Sequence, residues 1–255
     1  MTLFHDIAAL EAEGRPFVLA TVIASHGSTP QKPGSKLVIL DGGELRGTVG
    51  GGAIEKQIID AALALLADPQ GHTRTLETHL THDLGMCCGG KMTVFLEKHG
   101  AAPSLFVFGA GHVSKEVAAL AAHVGFRVSV VDERADWLSP ERFPAATRRL
   151  EPPDAVAKSL DGGRDVFACV VTHDHPLDQA CVEALLKKRL AWLGVIGSRR
   201  KAERFRQRLL AAGFSQGDAA RFESPMGVEI GAVTPREIAV SIVARLIDVR
   251  RRRDR

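Results

Sequence analysis

The glycine-rich turns of this chain have residue types and spacings that are typical of ligand-binding loops. The segment Gly109-Ala110-Gly111-His112 follows an apolar run and opens a helical pattern, which is the arrangement of a dinucleotide-binding loop with Ser114 at the third glycine position. Asp132 lies about twenty residues downstream, where a carboxylate can bind a ribose hydroxyl. NAD(P) binding by Gly109, Gly111 and Asp132 is therefore one hypothesis. A Rossmann scaffold that binds another ligand, or none, is the alternative.

Two adjacent thiols stand among glycines in Leu84-Gly85-Met86-Cys87-Cys88-Gly89-Gly90. If the glycines leave the backbone open, the thiols are exposed enough to ligate a soft metal or to carry sulfur. The alternative is one buried and one incidental thiol. Cys169 and Cys181 bring the number of cysteines to four, and their spacing does not indicate a disulfide framework, so we expect reduced thiols.

Two polar segments follow predicted parallel strands, where open α/β sheets bind ligands. In Thr172-His173-Asp174-His175, the histidines could act as acid and base or bind a metal, or could simply hydrogen-bond to the backbone. In Gly197-Ser198-Arg199-Arg200, a helix N-terminus with Ser198 and Arg199 could cradle a phosphate, or the arginines could be a solvated helix face.

A further glycine turn lies in the first half of the chain. Gly50, Gly51 and Gly52 separate a strand pattern from a helix pattern that contains Glu55. No lysine follows at the spacing of a phosphate-binding Walker loop. The turn is either an anion nest or a bend required by packing alone.

The elements that must position these residues differ between the two halves. Residues 1–100 predict a small α+β domain with helices at 7–13 and 53–67 and strands at 17–23, 36–40, 44–49, 73–80 and 92–97. Residues 101–255 alternate strand and helix, which predicts a Rossmann-like, doubly wound parallel sheet. The predicted strands are 105–108, 127–131, 166–171 and 192–196, and the predicted helices are 114–124, 177–188, 199–211 and one that begins after Thr234. The boundary is expected at Gly100-Ala101-Ala102-Pro103.

Composition excludes some classes of function. The 255 residues are 45% hydrophobic and 25% charged, typical of a folded globular protein. Residues 1–100 carry 8 basic and 11 acidic side chains, and residues 101–255 carry 25 and 19. This modest basic excess fits a small anionic ligand better than a nucleic acid. No apolar run reaches the length of a membrane span and no leader is recognisable, so we expect a cytoplasmic protein.

Five motifs occur in one order that resembles a known family. They are Gly27-Ser28-Thr29-Pro30-Gln31-Lys32-Pro33-Gly34, Val49-Gly50-Gly51-Gly52-Ala53-Ile54-Glu55, the segment Leu84 to Gly90, Val107-Phe108-Gly109-Ala110-Gly111-His112-Val113, and Pro225-Met226-Gly227-Val228-Glu229-Ile230-Gly231. Each is weak alone, but together they resemble the XdhC/CoxI family, the accessory proteins of xanthine dehydrogenase and related molybdenum hydroxylases.

The resemblance implies a cofactor chaperone rather than an enzyme. Members of that family bind the molybdenum cofactor, assist its sulfuration by a cysteine desulfurase, and deliver it to the apo-dehydrogenase of purine catabolism. The implied cofactor contacts on this chain are Gly50, Gly51, Gly52, Glu55, Cys87, Cys88, Gly89 and Gly90, with Gly109, Gly111 and His112 on the Rossmann side. Cys87 and Cys88 are the implied contacts to molybdenum, and the family also implies a homodimer. An NAD(P)-dependent oxidoreductase and a purely protein-binding adaptor remain the alternatives.

Overall fold

The protein consists of two compact units, Met1–Ala101 and Ala102–Arg255. The computed structural model describes residues 2–68, 71–80, 89–100 and 102–253. The first unit is built on an antiparallel sheet and the second on a parallel sheet, each with five strands among the described residues. The predicted α/β class, with an α+β part followed by a Rossmann-like part, is therefore confirmed.

The N-terminal unit places its sheet strands in the order β3-β2-β1-β5-β4. Its described elements are α1 (Leu3–Glu13), β1 (Phe17–His26), β2 (Lys36–Leu40), β3 (Leu45–Gly47), α2 (Gly52–Ala67), β4 (Thr73–His79) and β5 (Lys91–His99). Helix α2 buries Ile54, Ile58, Ala62 and Leu65, one apolar stripe at helical spacing, in a core with the sheet.

The third strand is shorter than its sequence pattern predicts. Residues 44–49 predict a strand, but β3 ends at Gly47, whose φ is +88°. The Thr48 N–H still donates to the Lys36 carbonyl of β2 at 3.0 Å. The chain then leaves the sheet, because the N–H groups of Val49 and Gly51 donate to the Glu55 carboxylate of α2 instead of to a neighbouring strand.

The C-terminal unit has the strand order β10-β9-β6-β7-β8. Its elements are β6 (Ser104–Phe108), α3 (His112–His123), β7 (Arg127–Val131), β8 (Thr147–Arg149), α4 (Pro153–Ser159), β9 (Gly163–Val170), α5 (His175–Leu186), β10 (Leu190–Val195), α6 (Arg199–Ala211), α7 (Gln216–Ala219) and α8 (Pro235–Arg253). The strand order reverses direction between β6 and β9, and such switch points are where open α/β sheets bind ligands.

Both faces of this sheet are covered, as the doubly wound prediction requires. Leu105 and Val107 of β6 face a core shared with α3 and α8, whereas Phe108 faces a second core shared with α4, α5 and α6. Three short elements, β8, α4 and α7, are absent from the sequence prediction. Each has few apolar residues, so its pattern is too short to be recognised.

Helix α8 begins with the capping arrangement that the sequence predicts. The Glu237 carboxylate accepts hydrogen bonds from the N–H groups of Val233 and Thr234, both at 2.9 Å, and the Glu237 N–H donates to Thr234 Oγ1 at 3.3 Å. These reciprocal bonds satisfy N–H groups that have no partner within the helix.

Replacing Thr234 with alanine removes the acceptor for the Glu237 N–H. We expect Thr234→Ala to lower the free energy of unfolding by about 1 kcal/mol. Both tryptophans of the chain, Trp137 and Trp192, lie in the C-terminal unit, so tryptophan fluorescence during urea unfolding reports on that unit. As a control, Arg236→Ala removes only a 3.8 Å, exposed ion pair with Glu116 and should cost less than about 0.5 kcal/mol. Equal losses in the two variants would contradict the capping role.

Candidate functional site

The glycine loop after β6 touches the carboxyl end of the neighbouring strand β9. Gly109 has a φ of +110°, and its N–H donates to the Val131 carbonyl at 2.7 Å. A Cβ at this position would overlap the Val171 carbonyl oxygen and lie 2.8 Å from Thr172 Cα. Gly111 differs, since a Cβ there would meet no atom within 4 Å. Packing across the switch point therefore requires glycine at 109 but leaves room at 111.

Asp132 binds this loop from inside the protein. Its Oδ2 accepts hydrogen bonds from the Ala110 N–H at 2.7 Å and from Arg134 Nη2 at 2.8 Å. Its Oδ1 accepts from Arg134 N and Arg134 Nε, both at 2.9 Å. Four donors fill the roughly four lone-pair positions of a carboxylate. Asp132 is also only 1% exposed, so in this geometry it holds the glycine loop rather than facing a ribose.

The charge of Asp132 is stabilised by these same contacts. Burial acts to raise the pKa of Asp132, but the hydrogen bonds from the Arg134 side chain and backbone and from the Ala110 N–H outweigh it. The pKa of Asp132 therefore lies below its ordinary value. Asp132 stays ionised at neutral pH and accepts hydrogen bonds without donating a proton.

A cationic and aromatic cluster surrounds the same loop. The guanidinium groups of Arg134 and Arg142 lie 5.1 and 5.0 Å from the Trp137 ring centre. His112 meets the same ring edge-on at 5.5 Å. Arg142 Nη2 also donates to the Ala110 carbonyl at 2.9 Å, so both the N–H and the carbonyl of that residue are bound by side chains. These interactions fix the loop from its outer side.

Ser114 occupies the position of the third glycine of a dinucleotide-binding loop. The residue is fully buried, and within the described part of the chain its hydroxyl has no hydrogen-bond partner. Its small side chain fits where helix α3 packs closely, which is the role of the third glycine.

Two further segments reach the same edge of the sheet, because the carboxyl ends of parallel strands lie side by side. His173 is exposed after β9, and Ser198 caps α6 after β10 by accepting from the Lys201 N–H at 3.3 Å. Arg199 is 87% exposed and lies 3.7 Å from the Glu229 carboxylate. The structure thus brings these three predicted residues to the sheet edge that carries Gly109.

Beneath them lies an ion pair that the sequence analysis does not predict. Asp178 is buried, and its Oδ2 accepts from Lys201 Nζ at 2.6 Å while its Oδ1 accepts from the Thr172 N–H at 3.1 Å. Lys201 Nζ also donates to the Ile196 carbonyl at 2.9 Å. The pair fixes the chain at the ends of both β9 and β10. An aspartate and a lysine 23 residues apart give no local signal of this contact.

A cavity of about 520 Å³ opens at the end of β10. We call it the β10 cavity. It is open to solvent and is lined by Ile196, Gly197 and Arg199, by residues 225–232, and by Ile238, Ser241 and Ile242 of α8. Its size falls within the ordinary range of small-molecule sites. Residues 225–232 contain one of the five family motifs, so a signal for these residues was present in the sequence, although their role as a cavity wall was not predicted.

Glu223 holds the wall of the β10 cavity in place. Its Oε1 accepts from the Gly227 N–H at 3.1 Å, and its Oε2 accepts from Trp192 Nε1 at 3.1 Å and Arg245 Nε at 2.8 Å. Gly227 has a φ of +102°, and a Cβ there would overlap the Ser241 hydroxyl. Gly227 is therefore the residue that lets this segment lie against α8.

In the N-terminal unit, the Gly50–Gly52 turn is occupied by a side chain of its own helix. All three glycines have positive φ. The Glu55 carboxylate accepts from Thr48 Oγ1 at 2.6 Å, from the Val49 N–H at 3.1 Å and from the Gly51 N–H at 3.2 Å. Burial acts to raise the pKa of Glu55, but these bonds hold it below its ordinary value. Glu55 thus fills the position that an external anion would take.

The thiol loop is described only at its glycine end. Gly90 is buried; its carbonyl accepts from the Leu80 N–H at 2.9 Å, and a Cβ at this position would lie 2.6 Å from the His26 carbonyl. Gly89 precedes it and is exposed. Cys87 and Cys88 lie outside the described residues.

The two described cysteines are buried and unreactive. Burial raises the pKa of Cys169, and it raises that of Cys181 to about 12. Over residues 2–68, 71–80, 89–100 and 102–253, no group of three or more histidine, cysteine, aspartate or glutamate side chains could hold a metal ion. In those same ranges, no helix is both long and apolar enough to cross a membrane.

Comparison with known proteins identifies a family over both units. Residues 105–246 match the family described as XdhC Rossmann domain, and residues 10–78 match the XdhC and CoxI family. Two relatives match most of this chain. An uncharacterized protein YqeB of Escherichia coli (strain K12) is 36% identical over 254 residues, 98% of this chain and 46% of that protein. The molybdenum cofactor insertion chaperone PaoD of Escherichia coli (strain K12) is 24% identical over 280 aligned positions, 95% of this chain and 86% of that protein.

A third relative and a solved structure add to the comparison. A probable xanthine dehydrogenase subunit of Bacillus subtilis (strain 168) is 33% identical over 160 residues, 62% of this chain and 46% of that protein. The chain thus spans about half the length of two of these relatives. The crystal structure of a xanthine dehydrogenase from Bacillus halodurans shares the fold, with a TM-score of 0.55 and 22% identity over 99% of this chain and 97% of that one.

The contact between Gly109 and β9 predicts different tolerances for the two loop glycines. We expect Gly109→Ala to destabilise the C-terminal unit by about 3 kcal/mol or more, because the added methyl group overlaps backbone atoms at a positive φ. The control Gly111→Ala should change stability by less than about 1 kcal/mol. The measurement is urea unfolding followed by tryptophan fluorescence. If the two variants unfold at the same urea concentration, the close approach of Gly109 to the backbone of Val171 and Thr172 does not require glycine.

The hydrogen bonds of Asp132 predict a pH-dependent contribution to stability. Asp132→Asn replaces an acceptor with an amide and should cost about 2 kcal/mol at pH 7. Because the folded-state pKa of Asp132 lies below its ordinary value, its contribution is present above about pH 4 and is lost as the pH falls through the folded-state pKa. The difference between wild type and variant should therefore shrink in acid. Glu133→Gln, an exposed neighbour with the same change of charge, is the control; a difference for Asp132→Asn that does not vary with pH would contradict the assignment.

Proposed function

We propose that this chain, which belongs to the XdhC and CoxI family, binds the molybdenum cofactor, assists its sulfuration and delivers it to apo-xanthine dehydrogenase or a related molybdenum hydroxylase. One observation carries the proposal: the similarity to a protein named as a molybdenum cofactor insertion chaperone extends over 95% of this chain. The protein acts as a carrier, with a cysteine desulfurase and the apo-enzyme as its partners. It works in the cytoplasm as a homodimer.

The chemistry of the cofactor fits groups that the chain offers. The cofactor is a pterin with a phosphate and a dithiolene-bound molybdenum, so it requires an anion-binding surface, polar groups for its ring edge and a soft ligand for the metal. Near the glycine loop, Gly109, Gly111 and His112 offer backbone and imidazole groups, and His173, Ser198 and Arg199 lie at the same sheet edge. When bound to its client, the cofactor supplies that enzyme's redox centre.

The thiols divide into two groups with different capacities. Cys169 and Cys181 are buried with raised pKa values, so neither offers a thiolate at neutral pH. Sulfur handling and molybdenum ligation are therefore assigned to Cys87 and Cys88. Gly50, Gly51, Gly52, Glu55, Gly89 and Gly90 are proposed as cofactor contacts within the N-terminal unit, where an anion would enter the Gly50–Gly52 turn by displacing the Glu55 carboxylate.

An NAD(P)-dependent oxidoreductase receives less support. The loop at Gly109 has the right place in the fold, but the acidic residue that would bind ribose, Asp132, already accepts four hydrogen bonds within the protein. The buried Asp178 is likewise paired with Lys201. These carboxylates support a binding role more than proton transfer.

The carrier proposal predicts stoichiometric cofactor binding. After anaerobic incubation with isolated molybdenum cofactor and gel filtration, we expect about one pterin and one molybdenum per chain in the protein peak. Cys87→Ala and Cys88→Ala should lower bound molybdenum or sulfuration, because a thiolate is a preferred ligand of a soft metal. Urea unfolding should be unchanged in both variants.

Cys181→Ala is the matched control, since it removes a thiol that is buried and unreactive. It should retain wild-type binding. A wild-type peak without pterin would overturn the carrier function. Unchanged binding, sulfuration and delivery in both Cys87→Ala and Cys88→Ala would overturn the role of the thiols alone.

A further inference from the structure

We propose that the β10 cavity binds the flat ring of a phosphorylated purine or pterin, with its phosphate directed to Arg199. The proposal concerns one feature within the C-terminal unit, where Ile196, residues 225–232 and the start of α8 surround about 520 Å³. Guanine and pterin share the same amino and oxo groups along one edge of a fused ring. The site therefore recognises chemistry that a nucleotide and the pterin of the molybdenum cofactor have in common.

The floor of the cavity suits a flat ring. Ile196, Met226, Ile238 and Ile242 line it with apolar side chains, and Met226 and Ile242 belong to the buried core of the unit. Covering such a surface with a ring removes apolar area from water, which favours binding. An extended or strongly hydrated ligand would gain little from this floor.

The polar groups of the wall come from the backbone. The Val228 N–H donates to the Ser241 carbonyl at 3.1 Å, and the Val233 N–H donates to the Glu237 carboxylate at 2.9 Å. Among the described residues, the four N–H groups between them, from Glu229 to Ala232, donate to no protein acceptor. Their residues line the cavity, so an acceptor of the ligand, such as the oxo oxygen that guanine and pterin share, can bind those N–H groups that face it.

Charge at the rim selects an anion next to the ring. Arg199 lines the cavity with its guanidinium largely free in solvent, at 3.7 Å from an equally exposed Glu229. An ion pair this exposed contributes little to stability, so Arg199 can release Glu229 and bind a phosphate instead. The oxygens of a phosphate match the parallel N–H donors of the guanidinium group. Glu229 also lines the cavity, so a phosphate bound by Arg199 must displace its carboxylate.

Two points of the wall are fixed before any ligand arrives. Lys201 holds the Ile196 carbonyl on one side, and Glu223 holds the Gly227 N–H on the other. Glu223 is itself bound by Trp192 and Arg245, so this side chain joins β10 and α8 to the loop between them. A rigid site loses less conformational entropy when it binds a ligand.

The pterin arm of this proposal rests on the proposed function, whereas the nucleotide arm does not. The probes are isolated molybdenum cofactor, guanosine 5′-monophosphate, guanosine and inorganic phosphate, each measured with the full chain by anaerobic equilibrium dialysis. We expect saturable binding, at one site per chain, of at least one phosphorylated ring. Inorganic phosphate alone should bind at least about tenfold more weakly, because it cannot use the apolar floor.

Two variants test the site, each with a neighbouring control. Ala232→Trp fills the cavity and should weaken binding at least about tenfold, whereas Val233→Trp places the same ring on an 81% exposed position outside it. Arg199→Glu should weaken binding of the phosphorylated rings about tenfold and leave guanosine within about twofold. Arg200→Glu makes the same change of charge one residue away, outside the cavity lining, and should leave all affinities within about twofold.

The outcomes separate this inference from the carrier function. If the molybdenum cofactor binds wild type and both Ala232→Trp and Arg199→Glu equally, the carrier stands and the cavity assignment is overturned. If guanosine 5′-monophosphate binds in a cavity-dependent way but the cofactor does not bind, the cavity is supported and the carrier is overturned. If neither phosphorylated ring binds saturably, the cavity proposal is overturned. Circular dichroism melting identifies any variant that fails to fold. If Ala232→Trp fails to fold, Arg199→Glu still decides the test, because Arg199 is exposed.

Discussion

Loops at the carboxyl ends of the parallel strands are held by carboxylates that accept hydrogen bonds from the backbone. Asp132 binds the Ala110 N–H after β6, Asp178 binds the Thr172 N–H after β9, and Glu223 binds the Gly227 N–H beside β10. A buried N–H without an acceptor is costly, and an ionised carboxylate satisfies it strongly. Each of these carboxylates is neutralised in turn by a basic side chain, namely Arg134, Lys201 or Arg245. The shape of this edge of the sheet depends on these three networks.

Using carboxylates in this way limits the chemistry that remains. An acid or base must exchange a proton with its substrate, but Asp132 is fully occupied and its lowered pKa keeps it ionised. These networks leave available backbone N–H groups, the exposed guanidinium of Arg199 and the exposed imidazole of His173. The same logic appears in the N-terminal unit, where Glu55 occupies the turn at Gly50–Gly52. An edge fixed in this way is compatible with the proposed role as a cofactor carrier.

Local patterns in the sequence predict the class, the strand and helix alternation and the cap of α8, because each depends on residues a few positions apart. The bounds of β7 and α6 agree with prediction to the residue. The prediction fails for β8, α4 and α7, whose patterns are too short, and at the end of β3, where hydrogen bonds to Glu55 replace strand pairing. The glycine at 109 is recognisable from sequence. Its contact with Val171 is not, since that contact joins strands 62 residues apart in the chain.

The β10 cavity shows why a motif can be visible while its role is not. Glycines and apolar residues between Pro225 and Gly231 resemble a family pattern, yet nothing local indicates that they pack against α8. Nor does the pattern indicate that four N–H groups find no acceptor among the described residues. That arrangement depends on Glu223, whose two oxygens contact β10, α8 and the loop itself. Asp132 shows the converse: its position after β7 predicts a ribose contact, but Arg134, only two residues later, takes most of its hydrogen-bonding capacity. In both cases the hydrogen-bond partners of one carboxylate decide whether the residues at a strand end anchor a loop or stay available to a ligand. The fold sets those partners.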